Sequence, residues 1–131
     1  MDFLRPYSSH LLSVLRIMTG LLFLQHGTTK YLGIPTSPMT GISPFTMSGI
    51  AGILELVGGV LIVLGLFTRP VAFILSGLMA AAYFIAHAPQ GFFPILNRGE
   101  LAALYCFVFL FIAAAGAGAW SLDRMWRGDK D

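Results

Sequence analysis

The chain has 131 residues, of which 56% are hydrophobic and 11% charged, and its mean hydropathy is +0.80. A water-soluble domain of this size needs far more charge to cover its surface, so the excess apolar surface must face lipid. A net charge of +2 and a pI near 9.0 do not make it a nucleic-acid binder, because the basic residues are scattered over the connections and form no stripe.

Length then limits the design. Each crossing takes ~20 residues at ~1.5 Å rise against a hydrocarbon core of ~30 Å, so four crossings with short connections nearly exhaust the chain. The expectation is all-α: an integral membrane four-helix bundle filling residues 1–131 as a single domain, with no separate soluble part.

Residues 1–9 read as a short polar arm with Arg5 and Pro6. The first helix is expected from about Ser9 to Tyr31. Arg16 interrupts its apolar run and the following Gln-His-Gly-Thr-Thr-Lys offers no small-x-small cleavage site, so it reads as a retained helix and not a signal peptide. Arg16, Gly20, Phe23, Gly27 and Lys30 recur at spacings of three and four, with His26 one turn before Lys30. That stripe should face the bundle, its glycines letting a neighbouring helix approach closely.

From Leu32 to Pro44 the chain is rich in Gly, Pro, Ser and Thr, with Pro35, Pro38 and Pro44, and reads as an irregular loop and a candidate lid. The second helix is expected from about Phe45 to Phe67, with Gly49, Gly52, Glu55 and Gly59 along one face. It should stop at Thr68, Arg69 and Pro70, because the residue before proline is pushed out of the α region. The third should run from about Pro70 to Ala88, close to His87 and Pro89. The fourth should run from about Asn97 to Ala119, with Glu100 in its first turn, where a negative side chain suits the macrodipole. Trp120 marks an interface and Ser121 to Asp131 a charged tail. Arg5, Arg69, Arg124, Arg127 and Lys130 fall on one side against Lys30 and Arg98 on the other, which predicts both termini cytoplasmic.

This order brings the scattered polar residues to one half of the membrane. His26, Lys30, Glu55, His87 and Glu100 all lie toward the end that carries the Pro-rich loop, and Arg16 lies deeper. A carboxylate alone in hydrocarbon stays protonated, whereas a cationic or hydrogen-bonding partner restores its charge. The expected partners of Glu55 are His26 first, then Arg16, whose long side chain can reach up, then Lys30, which by default snorkels to the surface. Two roles stay open for Glu55. It sets helix register, or it handles protons or a ligand, as intramembrane ionisable groups often do.

Cys106 is the sole cysteine and reads as a packing residue, which excludes an internal disulfide and a thiolate metal site. No metal-ligand motif such as H-E-x-x-H, no P-loop and no nucleophile elbow occurs. His26 and His87 could offer axial imidazoles to a haem, but such histidines are more often interfacial hydrogen-bonders.

The chain resembles the DoxX family of small four-helix bacterial membrane proteins. The resemblance rests on Arg16, Gly20, Phe23, Gly27 and Lys30, then on ELVGGVLIVLGLFTRPVA from Glu55 to Ala72. It continues in Asn97, Gly99 and Glu100, and in GAGAWSLDR from Gly116 to Arg124. This chain has Ala117 where the family commonly has proline between two glycines, and Arg98 where Gly-Gly-Glu is usual. The resemblance implies the bacterial inner membrane and a quinone-linked redox system of the thiosulfate or oxidative-stress type. Glu55 and His26 would be its catalytic proton carriers. Arg16, Lys30, His87 and Glu100 would be its ligand-binding groups, toward a quinone or a small sulfur compound. The alternative is a non-catalytic membrane anchor or assembly factor for a soluble or membrane partner subunit.

Overall fold

In the computed structural model residues 1–127 are described; Lys130 and the rest of the tail beyond Arg127 lie outside them. Six α-helices run in order: α1 (Ser8–Tyr31), α2 (Met47–Leu64), α3 (Thr68–Ala82), α4 (Pro94–Asn97), α5 (Glu100–Ala115) and α6 (Leu122–Arg127). A π-helical turn, Tyr83–His87, and a 3-10 turn, Ala88–Gln90, extend α3. Among the described residues there is no strand. The stretches Arg5–Tyr31, Met47–Leu64 and Thr68–Gln90 are long and apolar enough to cross a membrane, and Glu100–Ala115 is apolar but shorter at 16 residues. The protein is a membrane protein built as a bundle of apolar helices.

The helices pair as two antiparallel couples, α1 with α2 and α3 with α5, joined along a shorter seam between α2 and α3. The stripe expected on α1 is the one buried: Arg16, Gly20, Phe23, Gly27 and Lys30, with Ser13 and Thr19. On α2 the buried face is Gly49, Gly52, Glu55, Gly58, Gly59 and Ile62. Glycine at 27 is required by the packing. A Cβ there would stand 2.8 Å from the Leu56 backbone nitrogen and 2.9 Å from the Gly52 carbonyl oxygen, distances no neighbour can yield. Phe23 then links the couples, edge-on to Tyr105 at 5.5 Å and to Phe109 at 5.1 Å between ring centroids.

Several boundaries differ from the sequence reading, each for a local reason. The second helix begins at Met47 and not Phe45, because the Thr46 side chain caps it by accepting from the Gly49 amide at 3.0 Å. It ends at Leu64 in a Schellman arrangement, with Gly65 left-handed at φ 68°. There the Gly65 amide donates to the Ile62 carbonyl and the Leu66 amide to the Leu61 carbonyl. The fourth apolar helix is shorter than 97–119. It starts at Glu100, after Arg98 turns the chain left-handed at φ 63°, and stops at Ala115, where Gly116 and Gly118 take positive φ.

The segment after α5 is no loose tail. Its carbonyls at Ala117 and Trp120, with those of Ile62 and Val63 at the end of α2, receive the Arg16 guanidinium. Asp123 folds back so that its carboxylate accepts from the Phe67 and Thr68 amides, both at 2.8 Å, capping α3. Arg69 in turn donates to the Ala114 carbonyl at the end of α5 at 2.7 Å. The Pro-rich loop is pinned to the end of α1: Thr29 donates to the Pro35 carbonyl and Thr40 donates to the Thr29 carbonyl.

Candidate functional site

The polar residues of the loop end converge on Glu55, which lies eight residues into α2, ~12 Å from its start at 1.5 Å per residue. Glu55 is 5% exposed, and Lys30 Nζ donates to its Oε1 at 2.7 Å. The same ammonium donates to the Ser48 carbonyl at 3.2 Å. This reverses the expected order of partners. Lys30 is 9% exposed and points inward, so it does not snorkel. Gly52 explains why: it lies against the Lys30 stem, and a Cβ there would come 2.9 Å from Lys30 Cδ. Without that side chain the lysine can lie across α2 to reach the acid.

Arg16 is not at this site. It is 1% exposed and fully engaged at the opposite end of the bundle, with Nε donating to the Ile62 carbonyl at 2.9 Å and Nη2 to the Trp120 carbonyl at 2.6 Å. A guanidinium presents a fixed fork of donors, and here it is spent on the carbonyls of a helix end and a turn, two of which, Ile62 and Ala117, also accept from the Gly65 amide and the Ser13 hydroxyl. The expectation that Arg16 reaches up to Glu55 or binds ligand therefore meets a group whose donors are already taken.

Glu55 lines a partly open cavity of about 230 Å³ between the helices at the loop end of the bundle. His26, Tyr105, His87 and Arg98 supply its other polar groups, and Phe23, Met79, Leu101 and Ala102 its apolar walls. His26 stands edge-on to Tyr105 with ring centroids 6.2 Å apart, and its Nε2 is buried without a hydrogen-bond partner among the described residues. His26 and Glu55, expected to bond each other, thus border one cavity while Glu55 pairs with Lys30. Buried polar atoms are nearly always satisfied, so an orphan nitrogen in a cavity wall is what a ligand would complete.

His87 sits at the end of the π turn, a backbone irregularity common at functional positions. Its Nδ1 lies 3.0 Å from the Asn97 carbonyl. A carbonyl only accepts, so Nδ1 carries the proton and the neutral ring keeps its lone pair on Nε2. Asn97 is fully buried and fixes this corner: its Nδ2 donates to the Tyr83 hydroxyl at 3.2 Å and to the Gly91 carbonyl at 2.9 Å, and its Oδ1 accepts from the Gly99 amide at 2.8 Å. Glu100 is exposed in the first turn of α5 and does not line the cavity. No residue of the Pro-rich loop lines it either. Cys106 packs beside Ser76, whose hydroxyl donates to the Cys106 carbonyl at 2.7 Å.

Sequence reasoning missed Asn97, Arg98 and Tyr105 as parts of this site. In the sequence Arg98 reads as a topology marker and a departure from a family motif, and Tyr105 is one of several aromatic residues in apolar runs with nothing local to rank it above the others. Asn97 carried the better signal, a polar residue just before Gly99 and Glu100 at a helix start. Among the described residues no group of three His, Cys, Asp or Glu side chains gathers to hold a metal ion.

A family model described as DoxX matches residues 11–88. An uncharacterized protein of Haemophilus influenzae is 49% identical over 130 residues, covering 95% of this chain and 96% of its own length. An uncharacterized membrane protein of Mycobacterium tuberculosis is 31% identical over 128 residues, 84% of this chain and 77% of that protein. A Bacillus subtilis protein, CatD, provisionally named an oxidoreductase, is 28% identical over 123 residues, 90% of this chain and 89% of its own. No solved structure matches the chain.

Proposed function

The chain belongs to the DoxX family of membrane proteins, and from that premise we propose that it is the integral membrane subunit of a quinone-linked redox system in the bacterial inner membrane, with both termini cytoplasmic. The observation that carries this reading is the buried, unpartnered His26 Nε2 in the wall of a cavity that also holds Glu55, His87, Arg98 and Tyr105. The provisional oxidoreductase name of the Bacillus subtilis relative supports it.

The lining fits a quinone headgroup. Apolar and aromatic walls from Phe23, Met79, Leu101 and Tyr105 suit a flat ring, and the His26 and Arg98 nitrogens suit its oxygens. At about 230 Å³ the cavity is smaller than the ~300–1,000 Å³ of drug-sized pockets and takes a single ring. A bound quinone would supply the electron and proton chemistry that these side chains do not supply themselves. Around it, His87 Nε2 is a ready proton acceptor, oriented through Nδ1 by the Asn97 carbonyl. Glu55 is the second proton-handling group, kept close to charge balance by Lys30 at 2.7 Å. His26 holds the ring by the nitrogen that has no partner among the described residues. A small sulfur compound or a partner subunit is the electron donor in this reading.

The rival role, a membrane anchor or assembly factor, draws on the same ion pair, because a Lys30 to Glu55 contact also fixes α1 against α2. One experiment separates them. Solvent extraction of the detergent-purified protein should release a quinone, and the Glu55→Gln variant should retain less of it while still folding. A quinone-free sample that retains a soluble enzyme at the membrane supports the anchor instead.

A further inference from the structure

A second cavity of about 220 Å³ lies on the other side of Glu55, between α2 and α3. Glu55, Met79 and Ala82 line both cavities, so the two stand back to back across these three side chains. The second differs in which side chains line it and in the helices it lies between. Apart from Lys30, Ser48 and Glu55 it is lined by alanines and aliphatic side chains, among them Ala51, Leu78, Ala81 and Ile85. Ala81, Ile85 and Ala86 are exposed on the outside of the bundle, within a stretch, Thr68–Gln90, apolar enough to cross a membrane. It is a side chamber between the first turns of α2 and the end of α3, where the seam between the two helices is thin and exposed apolar side chains border it.

From this, and resting on the quinone reading above, we infer that the ligand is an amphiphile bound in two parts. Its ring occupies the inner cavity against His26, and its hydrocarbon chain lies in the side chamber. The ligand arrives from the bilayer between α2 and α3 and not from the water at the loop end. Three observations converge. The inner cavity has an unsatisfied polar atom and suits a polar ring, the side chamber is apolar and suits a chain, and the partition between them includes a methionine. Methionine is unbranched and turns about three bonds, so Met79 can swing aside where a branched side chain would block. The alanines at 51, 81, 82 and 86 leave the room that larger side chains would fill. Small residues here do not serve close helix packing, since α2 and α3 touch little. The Lys30 to Glu55 pair at the partition offers the polar oxygens of an arriving ring their first contact.

The test uses the full-length protein in nanodiscs and measures equilibrium binding of two probes: a benzoquinone carrying a decyl chain, and the same ring with a methyl group in place of the chain. Ala51→Phe and Ala86→Phe each fill the side chamber from a different wall without touching the inner cavity. Each should weaken binding of the decyl compound about tenfold, the scale of overpacking one filled site, and leave the methyl compound unchanged. Unaltered binding of the methyl compound also reports that the variant is folded. If both variants bind both probes as the wild type does, the side chamber is not the chain site, and the quinone reading stands without it. Equal loss of both probes in both variants likewise overturns the two-part arrangement. A wild-type protein that binds neither probe withdraws the quinone reading itself, and the chain site with it.

Discussion

Lys30 and Glu55 meet at 2.7 Å between the last turn of α1 and the middle of α2, with their side chains 11% and 7% exposed. The pair closes the α1 to α2 hairpin on the loop side; Glu55 forms part of the wall of both cavities and Lys30 part of the second. Lysine at a helix C-terminus is favoured by the macrodipole, and the Ser48 carbonyl takes a second of its protons. Removing one member of a buried pair leaves the other charge uncompensated at a cost of ~3–5 kcal/mol. Lys30→Met should therefore lower the unfolding midpoint in detergent more than the double variant Lys30→Met, Glu55→Leu. A double variant less stable than the single one would remove the ion pair as the reason.

Arg16 gives a second, separable prediction. Its donors satisfy carbonyls at the end of α2 and in the turn after α5. Arg16→Lys keeps the charge but lacks the planar fork, so buried carbonyls lose partners at ~1–3 kcal/mol each. Thermal unfolding should report this loss while quinone retention per folded molecule stays at the wild-type level. Lost retention with unchanged stability would return Arg16 to the ligand site.

Asp123 should behave as a helix cap supplied from far along the chain. Its carboxylate accepts from two amides at the start of α3 and is itself 4% exposed. Asp123→Ala should cost ~1–2 kcal/mol, and Asp123→Asn should recover part of it, since an amide oxygen still accepts. Chemical unfolding of the three proteins side by side gives the comparison.

Gly27→Val should be among the most damaging single changes. Its side chain would run into the Leu56 backbone and the Gly52 carbonyl, and backbone cannot move aside as a flexible side chain does. The α1 to α2 couple would have to separate, so the variant should express poorly or elute as aggregate by size-exclusion chromatography. Gly77, which faces open space, should accept alanine without such an effect.

Orientation is testable by a reporter fused at the C-terminus. Contacts join Arg69 to Ala114 and Arg124 to Ser9 at one end of the bundle, while Lys30 and the cavity residue Arg98 mark the other. The end richer in arginine should be cytoplasmic. Activity of a reporter that works only outside the cytoplasm would invert the map and place the Glu55 cavity toward the inner face.

The sequence by itself determined the class of protein and the faces of its helices. Composition excluded a soluble domain, and the three-and-four spacing of Arg16, Gly20, Phe23, Gly27 and Lys30 named the side of α1 that is buried, because helical periodicity is local. It also singled out Glu55, since a carboxylate inside an apolar run is anomalous wherever it folds. Which group meets Glu55 was decided only by the tertiary structure. His26, Arg16 and Lys30 all lie on the one stripe or beside it, and depth along α1 favours His26, which is not the partner found. The ranking came from the missing side chain at Gly52, which admits Lys30, and from the carbonyls of Ile62 and Trp120, which claim Arg16. Asp123 lay further out of reach. Its partners at Phe67 and Thr68 are more than fifty residues away in sequence, and no local pattern records a bond that exists only when the chain's end folds back on its middle.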